Sequence, residues 1–315
     1  MTPSLEAVNL TKRFGVFTAL DRLNLKVEGS KCVGFLGPNG AGKTTTLKMF
    51  TDLIFPTEGE AFINGVSVQK ERKRALTPCG DLIESPEIYG SLTPREALEM
   101  SGALRGMRPS EIRSRTTVVL EEVKMAEWTD QKIGRFSKGM KQRINIAAAL
   151  LSDPEVVILD EPSTGLDPRG MAEVRGIVRG LKKEHRLIFM SSHILSEVVD
   201  VCDEVALLDH GKLLFYDSLA GVGQRLGGGV RSVEAEFASP LDEAVLAEQI
   251  GSLPEVAGWS RNDPQRVTLE VKGGPSEQAR LLEKLAAMQL GLLNFRESRS
   301  SLEEVYLREI SAGEA

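Results

Sequence analysis

The sequence lacks any apolar run approaching the ~20 residues that a helix needs to cross a bilayer. Its amino terminus, MTPSLEAVNL, also lacks the basic-then-apolar pattern of a secretion signal. We therefore expect a cytoplasmic chain, and any role at a membrane would have to come from a partner protein.

Cysteine is scarce as well. The three cysteines, Cys32, Cys79 and Cys202, are scattered along the chain and lie in or beside apolar stretches. They have neither the paired spacing of a zinc site nor that of a disulfide framework. A reducing compartment such as the cytoplasm is the simplest location for such a chain.

The chain has no excess of positive charge. Lysine and arginine total 39 against 45 acidic residues, which gives a formal net charge of −6. This balance gives no electrostatic reason to expect DNA or RNA as the main partner, because nucleic-acid binding depends on neutralising phosphates. We expect no nucleic-acid partner.

What is present is enough sequence for about two domains, since the chain has 315 residues of which 41% are hydrophobic. Three consecutive glycines after Leu226 resist both helix and strand and mark a linker. We predict a first domain over residues 1–222, a glycine-rich linker over 223–229 and a smaller second domain over 230–315.

The first domain alternates strand-like runs with amphipathic helical patterns, which predicts a parallel α/β core. Strands are predicted at 33–36, 156–159 and 187–190. One helical pattern comes after Ser110, a plausible N-cap, and its spaced apolar and small side chains are typical of a core face. These side chains are Ile112, Thr116, Val119 and Val123.

The second domain has a different order of elements. The pattern predicts strand 230–237, helix 241–250, strand 256–260, strand 267–271, helix 276–288 and strand 292–297. The two central strands are joined by NDPQ, a good turn sequence. This βαββαβ order predicts a split-βαβ sandwich, and a final amphipathic helix is predicted at 302–310.

The most informative stretch is GPNGAGKTT, which comes directly after the apolar run CVGFL. Its glycines let the backbone turn tightly and aim N–H groups at phosphates, and the next helix turns its positive dipole end to the same anion. Lys43 supplies a positive charge to the β- and γ-phosphates, and the Thr44 hydroxyl is placed to ligate Mg²⁺. We therefore predict a nucleoside triphosphate site. Its residues are Gly37, Pro38, Asn39, Gly40, Ala41, Gly42, Lys43, Thr44 and Thr45.

A second motif is the apolar strand VVIL, which ends at Asp160 and Glu161. One carboxylate at such a strand end can hold Mg²⁺, and its neighbour can orient or deprotonate the water that attacks the γ-phosphate. We assign Asp160 to the metal and Glu161 to the role of general base. Taken alone, the pattern also suits a strand that merely ends in solvated acids.

Three further segments flank this strand. FSKGMKQR joins the hydroxyl of Ser137 and the glycine Gly139 to the start of a helix, which is another anion-binding arrangement. PSTGLD ends in Asp167, and SSH places His193 directly after a strand. Taken alone, the first could be a simple N-capped helix, and a lone histidine is usually an ordinary surface residue.

In this order the motifs resemble those of ATP-binding cassette (ABC) ATPases. FSKGMKQR is similar to the family's signature loop, usually written LSGGQ, PSTGLD to its D-loop, and His193 to its switch histidine. The resemblance implies an α/β fold with a P-loop ABC ATPase domain, which has a parallel-sheet core with antiparallel β and helical subdomains, together with the small C-terminal α+β domain. It also implies ATP and Mg²⁺ as cofactors and catalytic roles in ATP hydrolysis for Glu161 and His193.

The resemblance further implies a homodimer. In the family, the phosphate loop of one subunit holds ATP while the signature loop of the other subunit closes over the γ-phosphate, so each site is shared. Ser137 and Gly139 would then act in trans, and Asp167 would touch the opposite subunit near its phosphate loop.

Two softer matches complete the predicted site. Phe14 lies where the family carries an aromatic that stacks on adenine, although a core aromatic would give the same pattern. Glu84 lies where the family usually has the glutamine of the Q-loop, which implies a place beside Thr44 and Asp160 at Mg²⁺. Its full negative charge departs from the family pattern, and so does Lys138 in place of the first signature glycine.

Both departures resemble the branch of the family that powers small export systems for drugs, antibiotics, lipids or ions, and SLEEVYL near the carboxyl end is similar to that branch's closing helix. This implies an ATPase subunit that powers a separately encoded integral-membrane permease and lies peripherally on the inner face of the membrane. The alternative is a soluble ABC ATPase without transport, such as a translation or ribosome factor. The second domain could widen the dimer interface or bind a regulatory ligand.

Overall fold

The structure is a computed structural model that describes residues 2–84, 88–182, 186–219, 221–222 and 230–297. The chain divides into two compact units, Met1–Asp217 and Ser218–Ala315. The predicted linker and the predicted helix at 302–310 lie outside the described residues. Within the described ranges, no helix is both long enough and apolar enough to cross a bilayer.

The described chain contains both strands and helices. The strands are β1 Ser4–Phe14, β2 Phe17–Glu28, β3 Cys32–Leu36, β4 Glu58–Ile63, β5 Val66–Ser67, β6 Cys79–Leu82, β7 Val156–Leu159, β8 Leu187–Ser192, β9 Glu204–Asp209, β10 Lys212–Ser218, β11 Val230–Phe237, β12 Val256–Asp263, β13 Arg266–Lys272 and β14 Leu292–Glu297. The α-helices are α1 Lys43–Phe50, α2 Arg72–Leu76, α3 Pro94–Leu104, α4 Pro109–Glu122, α5 Lys138–Leu150, α6 Pro168–Leu181, α7 Leu195–Val201 and α8 Pro275–Ala287. Short 3₁₀ turns lie at Ala126–Trp128 and Ile133–Arg135, and a π-helix lies at Val245–Ile250.

A six-stranded sheet with the order β10-β9-β3-β8-β7-β6 forms the centre of the first unit. The strands from β9 to β6 pair in parallel, which confirms the predicted parallel core. Strands β3, β7 and β8 are buried along their whole length, so their sequences are apolar almost throughout instead of alternating. Because these strands run in one direction, their carboxyl ends lie at one edge of the sheet.

A second, antiparallel sheet of the same unit has the order β2-β1-β4-β5. Its apolar side chains join those of the parallel sheet in one hydrophobic core, where Leu10 and Leu20 share a cluster with Phe35 and Phe189. The rings of Phe35 and Phe189 have centroids 5.1 Å apart, a favourable distance for an aromatic pair. The predicted antiparallel β part of the first domain is confirmed.

The helices α3, α4 and α5 contact one another and supply the predicted helical part. The prediction that Ser110 caps α4 is wrong. The helix begins at Pro109, and Arg108 is its N-cap in an extended conformation. Proline suits the first helical position because its φ is already helical and its missing N–H would be unpaired there in any case. The predicted core face is confirmed, since Ile112 and Val119 are buried.

The second unit has one antiparallel sheet with the order β12-β13-β11-β14. Together with the π-helix and α8, this confirms the predicted βαββαβ order. Alternate residues of β13, Val267, Leu269 and Val271, lie in the core of the unit. The predicted helix at 241–250 differs in type, because the N–H of Gly251 donates to the carbonyl of Leu246 at 2.7 Å, five residues earlier.

Candidate functional site

The phosphate loop joins buried β3 to α1 at the carboxyl edge of the parallel sheet. Gly40 and Gly42 have φ angles of 83° and 103°, a left-handed region that glycine adopts readily and other residues rarely. The N–H of Ala41 donates to the carbonyl of Pro38 at 3.2 Å and closes the turn. The strand, the loop and the helix occur in the predicted order, so the loop's glycines serve the backbone shape that the phosphate-loop pattern requires.

Gly37 lies where the backbone of β9 approaches most closely. A Cβ at Gly37 would lie 2.2 Å from the carbonyl oxygen of Leu208, whereas a Cβ at Gly40 would meet nothing within 4 Å. We expect Gly37→Ala to lower the free energy of unfolding by about 3 kcal/mol because a buried strand cannot move aside. Gly40→Ala should lower the free energy of unfolding by only about 1 kcal/mol, because its one penalty is to hold alanine in a left-handed backbone conformation. Urea unfolding monitored by circular dichroism compares the two, and equal losses would contradict the close approach.

Lys43 is held over the loop by backbone oxygens. Its ammonium donates to the carbonyls of Gly37 and Pro38 at 2.8 and 3.0 Å and lies 3.5 Å from Oε1 of Glu161. Only 4% of the residue is exposed. Burial lowers the pKa of Lys43, while the charges of Glu161 and Asp160 oppose that shift. The ammonium of Lys43 lies in a sheltered position, where a positive charge acts more strongly on an anion than it does in water.

Asp160 comes directly after β7 at the same edge of the sheet. Its Oδ1 accepts hydrogen bonds from the hydroxyls of Thr44, at 3.1 Å, and Ser191, at 2.6 Å. Its backbone N–H donates to the carbonyl of Leu82 in β6 at 2.8 Å. The structure therefore brings together Thr44 and Asp160, two of the three residues predicted to bind Mg²⁺.

The donor set around Asp160 fits a magnesium ion. Mg²⁺ prefers oxygen ligands and is commonly held by one or two protein groups together with water and substrate phosphates. The Thr44 hydroxyl and the Asp160 carboxylate are of this kind. No group of three or more histidine, cysteine or acidic side chains that could hold a metal occurs among the described residues. Water and substrate phosphate oxygens could supply further ligands.

Glu161 is surrounded by partners for its carboxylate. Its Oε2 accepts from the hydroxyl of Thr164 at 2.8 Å and lies 3.0 Å from Nδ1 of His193. Burial alone would raise the pKa of Glu161, but the hydrogen bonds from Thr164 and His193 and the nearby charge of Lys43 outweigh burial and hold the pKa below its ordinary value. Glu161 is therefore ionised at neutral pH, as a general base must be.

Two of the three predicted trans-acting residues cap helices within their own chain. The Ser137 hydroxyl accepts from the N–H of Met140 at 3.2 Å and caps α5. The Asp167 carboxylate accepts from the N–H of Gly170 at 3.0 Å and caps α6. A Cβ at Gly139 would lie 3.5 Å from Cα of Gly170, so the two helix starts lie close together.

Lys138, the departure from the signature pattern, reaches towards the D-loop. Its Nζ would lie 2.4 Å from a Cβ placed on Gly165. The φ of Gly165 is 71°, so glycine is favoured at this position by both its backbone conformation and its neighbour. The two segments predicted to face a second subunit are therefore in contact within one chain.

Phe14 and Glu84 both lie at the surface. Phe14 is 51% exposed at the end of the β1–β2 hairpin, with the Lys12 ammonium 5.0 Å from its ring centroid, which disfavours the alternative of a core aromatic. The carboxylate of Glu84 forms an ion pair with Lys48 at 2.5 Å and not a hydrogen bond with Thr44. The base-stacking role of Phe14 and the metal role of Glu84 stay predictions.

Comparison with known proteins identifies the family. The ABC transporter family model matches residues 20–164. The bacitracin transport ATP-binding protein of Bacillus licheniformis is 43% identical over 215 residues, which cover 68% of this chain and 69% of that protein. The daunorubicin/doxorubicin resistance ATP-binding protein of Streptomyces peucetius is 30% identical over 311 residues, which cover 97% and 92%. The chain belongs to the ABC transporter family.

A solved structure supports the assignment of the chain to this family. The structure of an ATP-binding subunit of an ABC transporter superposes with a TM-score of 0.63 at 29% identity, and the match covers 71% of this chain and 93% of that one. The resemblance inferred from the motifs is confirmed, as is the fold class. The protein is an ATP-binding ABC subunit and an ATPase.

Two residues of the ABC ATPase that contact the predicted acids had no predicted role. Thr164 donates to Glu161, and Ser191 contacts both Asp160 and Glu161. Both lie within motifs recognised in the sequence, but their contacts depend on strand order. Because Leu159 pairs with Met190 across β7 and β8, the next residues, Asp160 and Ser191, lie side by side. Sequence spacing alone does not reveal that neighbourhood.

Proposed function

We propose that this ABC ATPase is the ATP-hydrolysing subunit of an exporter and powers a separately encoded integral-membrane permease. Similarity to a drug-resistance ATP-binding protein over 97% of this chain supports the proposal, because that match includes the second unit as well as the cassette. In this proposal the chain lies in the cytoplasm, peripherally on the inner face of the membrane, through its contact with the permease.

The hydrolytic part of the proposal is carried by one cluster. The carboxylate of Glu161 lies 3.0 Å from His193 and 3.5 Å from Lys43, at the edge of the sheet where the phosphate loop begins. In the proposed site the loop and Lys43 hold the phosphates, Glu161 orients and deprotonates the attacking water, and His193 contacts the γ-phosphate.

Mg²⁺ is the proposed second cofactor. Thr44 and Asp160 would hold it, and Glu84 stays a further candidate ligand despite its pairing with Lys48 in this structure. The ion would supply positive charge that offsets the charge of the phosphates. The chain's own part is to present two oxygen donors beside the phosphate loop.

A homodimer completes the proposed site. The first turn of α5 contains no acidic residue, and its N-cap is the predicted trans-acting Ser137, so this helix start suits an anion supplied by a second subunit. Ser137, Gly139 and Asp167 would act in trans across a two-fold interface. ATP would join the subunits and hydrolysis would release them. We propose that the second unit widens this interface.

Partner capture tests the proposal. Tagged Glu161→Gln protein, incubated with ATP and Mg²⁺ in mildly solubilised membranes, should recover a polytopic membrane protein in near-equal amount, identified by mass spectrometry. The same pull-down without nucleotide serves as the control for partners that depend on the ATP-bound state. Recovery of only soluble partners or ribosomes would contradict export and favour an ABC ATPase without transport.

A further inference from the structure

We propose that Ser191 is a positioning residue of the ATPase reaction that joins the metal carboxylate of Asp160 and the backbone of the general base Glu161 into one hydrogen-bonded unit. The proposal rests on the function proposed for this ATPase and on the roles of those two acids in it. Ser191 itself touches neither the phosphates nor the water in this scheme, and it acts through the residues beside it.

The Ser191 hydroxyl donates one hydrogen bond and accepts another, and its two partners are adjacent residues. It donates to Oδ1 of Asp160 at 2.6 Å and accepts from the N–H of Glu161 at 2.9 Å. A serine hydroxyl can donate only one hydrogen bond, and that of Ser191 goes to Asp160. Ser191 is fully buried, and hydrogen bonds to a carboxylate are strong when water is excluded.

The sheet fixes the place of this hydroxyl. Strand β8 lies between β3, which leads into the phosphate loop, and β7, which leads into the two acids. Ser191 pairs with Phe35 in β3, and the preceding Met190 pairs with Leu159 in β7. The strand that carries this hydroxyl is therefore held on both sides by neighbouring strands. The hydroxyl has a fixed position from which it can orient the two acids.

Ser191 also decides which oxygen of Asp160 remains open. Among the described residues, both hydroxyl groups that donate to this carboxylate, those of Ser191 and Thr44, end on Oδ1. With Oδ1 held from both sides, the carboxylate keeps one orientation, and Oδ2 is the oxygen left for a metal ion or its water. Groups that orient a metal ligand in this way commonly change metal affinity or activity 10–100-fold when removed.

The hydrogen bond that Ser191 accepts from the N–H of Glu161 helps to hold a strained backbone conformation at Glu161. Glu161 has a φ of 43°, in the left-handed region that residues with a side chain rarely adopt. Such conformations persist where surrounding contacts hold them, and they cluster at functional sites. The N–H of Glu161 is held by Ser191, and its carbonyl accepts from the N–H of Thr164 at 3.1 Å. Loss of the Ser191 hydroxyl would release one of these two anchors.

The adjacent serine faces a different set of partners. The Ser192 hydroxyl donates to Oε2 of Glu197 at 3.0 Å and accepts from the N–H of Ile194 at 2.9 Å. Because side chains alternate across a strand, only Ser191 of this pair faces the acids. The proposed role therefore belongs to Ser191 and is not shared by Ser192.

Metal binding without turnover tests the proposal. With a non-hydrolysable ATP analogue bound, Ser191→Ala should weaken Mn²⁺ binding by about 10-fold, measured from free Mn²⁺ by electron paramagnetic resonance. Affinity for the analogue in the presence of a chelator should stay unchanged, since the phosphate loop and Lys43 are intact. Ser191→Thr restores the hydroxyl and should bind Mn²⁺ as the unaltered protein does. In turnover, Ser191→Ala should need more Mg²⁺ for half-maximal rate and have a lower kcat.

Thr11→Val supplies the matched control. Thr11 is also fully buried, and its hydroxyl donates to the carbonyl of Asn9 at 3.2 Å and accepts from the N–H of Arg22 at 3.0 Å. Its loss removes two hydrogen bonds away from the acids, so Mn²⁺ affinity should not change. If Ser191→Ala binds Mn²⁺ as tightly as Thr11→Val, or if Ser191→Thr is as weak as Ser191→Ala, the positioning role is overturned. An unaltered protein that shows no metal-dependent nucleotide binding would instead overturn the proposed function.

Discussion

Glu161→Gln is expected to keep ATP binding and to lower ATP turnover by about 10²-fold or more. The amide has nearly the same shape and can still accept a hydrogen bond from Thr164, so the site should keep its geometry. It cannot accept a proton from water, whereas the carboxylate of Glu161, with its lowered pKa, is ionised and ready to do so. The expected loss therefore falls on kcat and not on nucleotide affinity.

Phosphate release at saturating ATP measures this loss, and a fluorescent ATP analogue measures affinity. Glu155→Gln is the matched control, because Glu155 is an exposed glutamate at the opposite end of the same strand, where it accepts from Asn64. That variant should hydrolyse ATP at the unaltered rate. If Glu161→Gln also retained full turnover, Glu161 could not be the general base.

The motifs predicted the local structure of the site well because their chemistry is local. The glycines of the phosphate loop permit a left-handed backbone, and Gly40 and Gly42 adopt it. Asp160 and Glu161 come directly after an apolar strand, and a buried strand of a parallel sheet presents the residues beyond its carboxyl end at one edge. The βαββαβ order of the second unit was predictable for the same reason, from successive patterns and turns.

Other features depend on contacts between distant segments, and the sequence pattern did not reveal them. The neighbourhood of Ser191 and Asp160 depends on β8 lying beside β7, which no local pattern specifies. The start of α4 depends on competition between Pro109 and Ser110, in which the fixed φ of proline prevailed. The ion pair of Glu84 with Lys48 likewise joins two segments that lie 36 residues apart.

Lys43→Ala is expected to abolish nucleotide binding, with affinity falling at least about 100-fold, or roughly 3 kcal/mol. Lys43 is the cation held at the mouth of the phosphate loop by the carbonyls of Gly37 and Pro38. Its loss would remove the positive charge that faces the phosphates. It would also leave Glu161, whose Oε1 lies 3.5 Å away, without a counter-charge, so the site would repel the triphosphate.

Lys48→Ala is the matched control, because Lys48 lies further along the same helix, is partly exposed and pairs with the exposed Glu84. Exposed ion pairs contribute little to stability, so this variant should fold and bind ATP as the unaltered protein does. Equilibrium titration with the fluorescent ATP analogue compares the two, and circular dichroism establishes that both are folded. A folded Lys43→Ala protein with undiminished ATP affinity would mean that this loop does not hold the triphosphate through Lys43, and the roles assigned to Glu161 and His193 would lose their substrate.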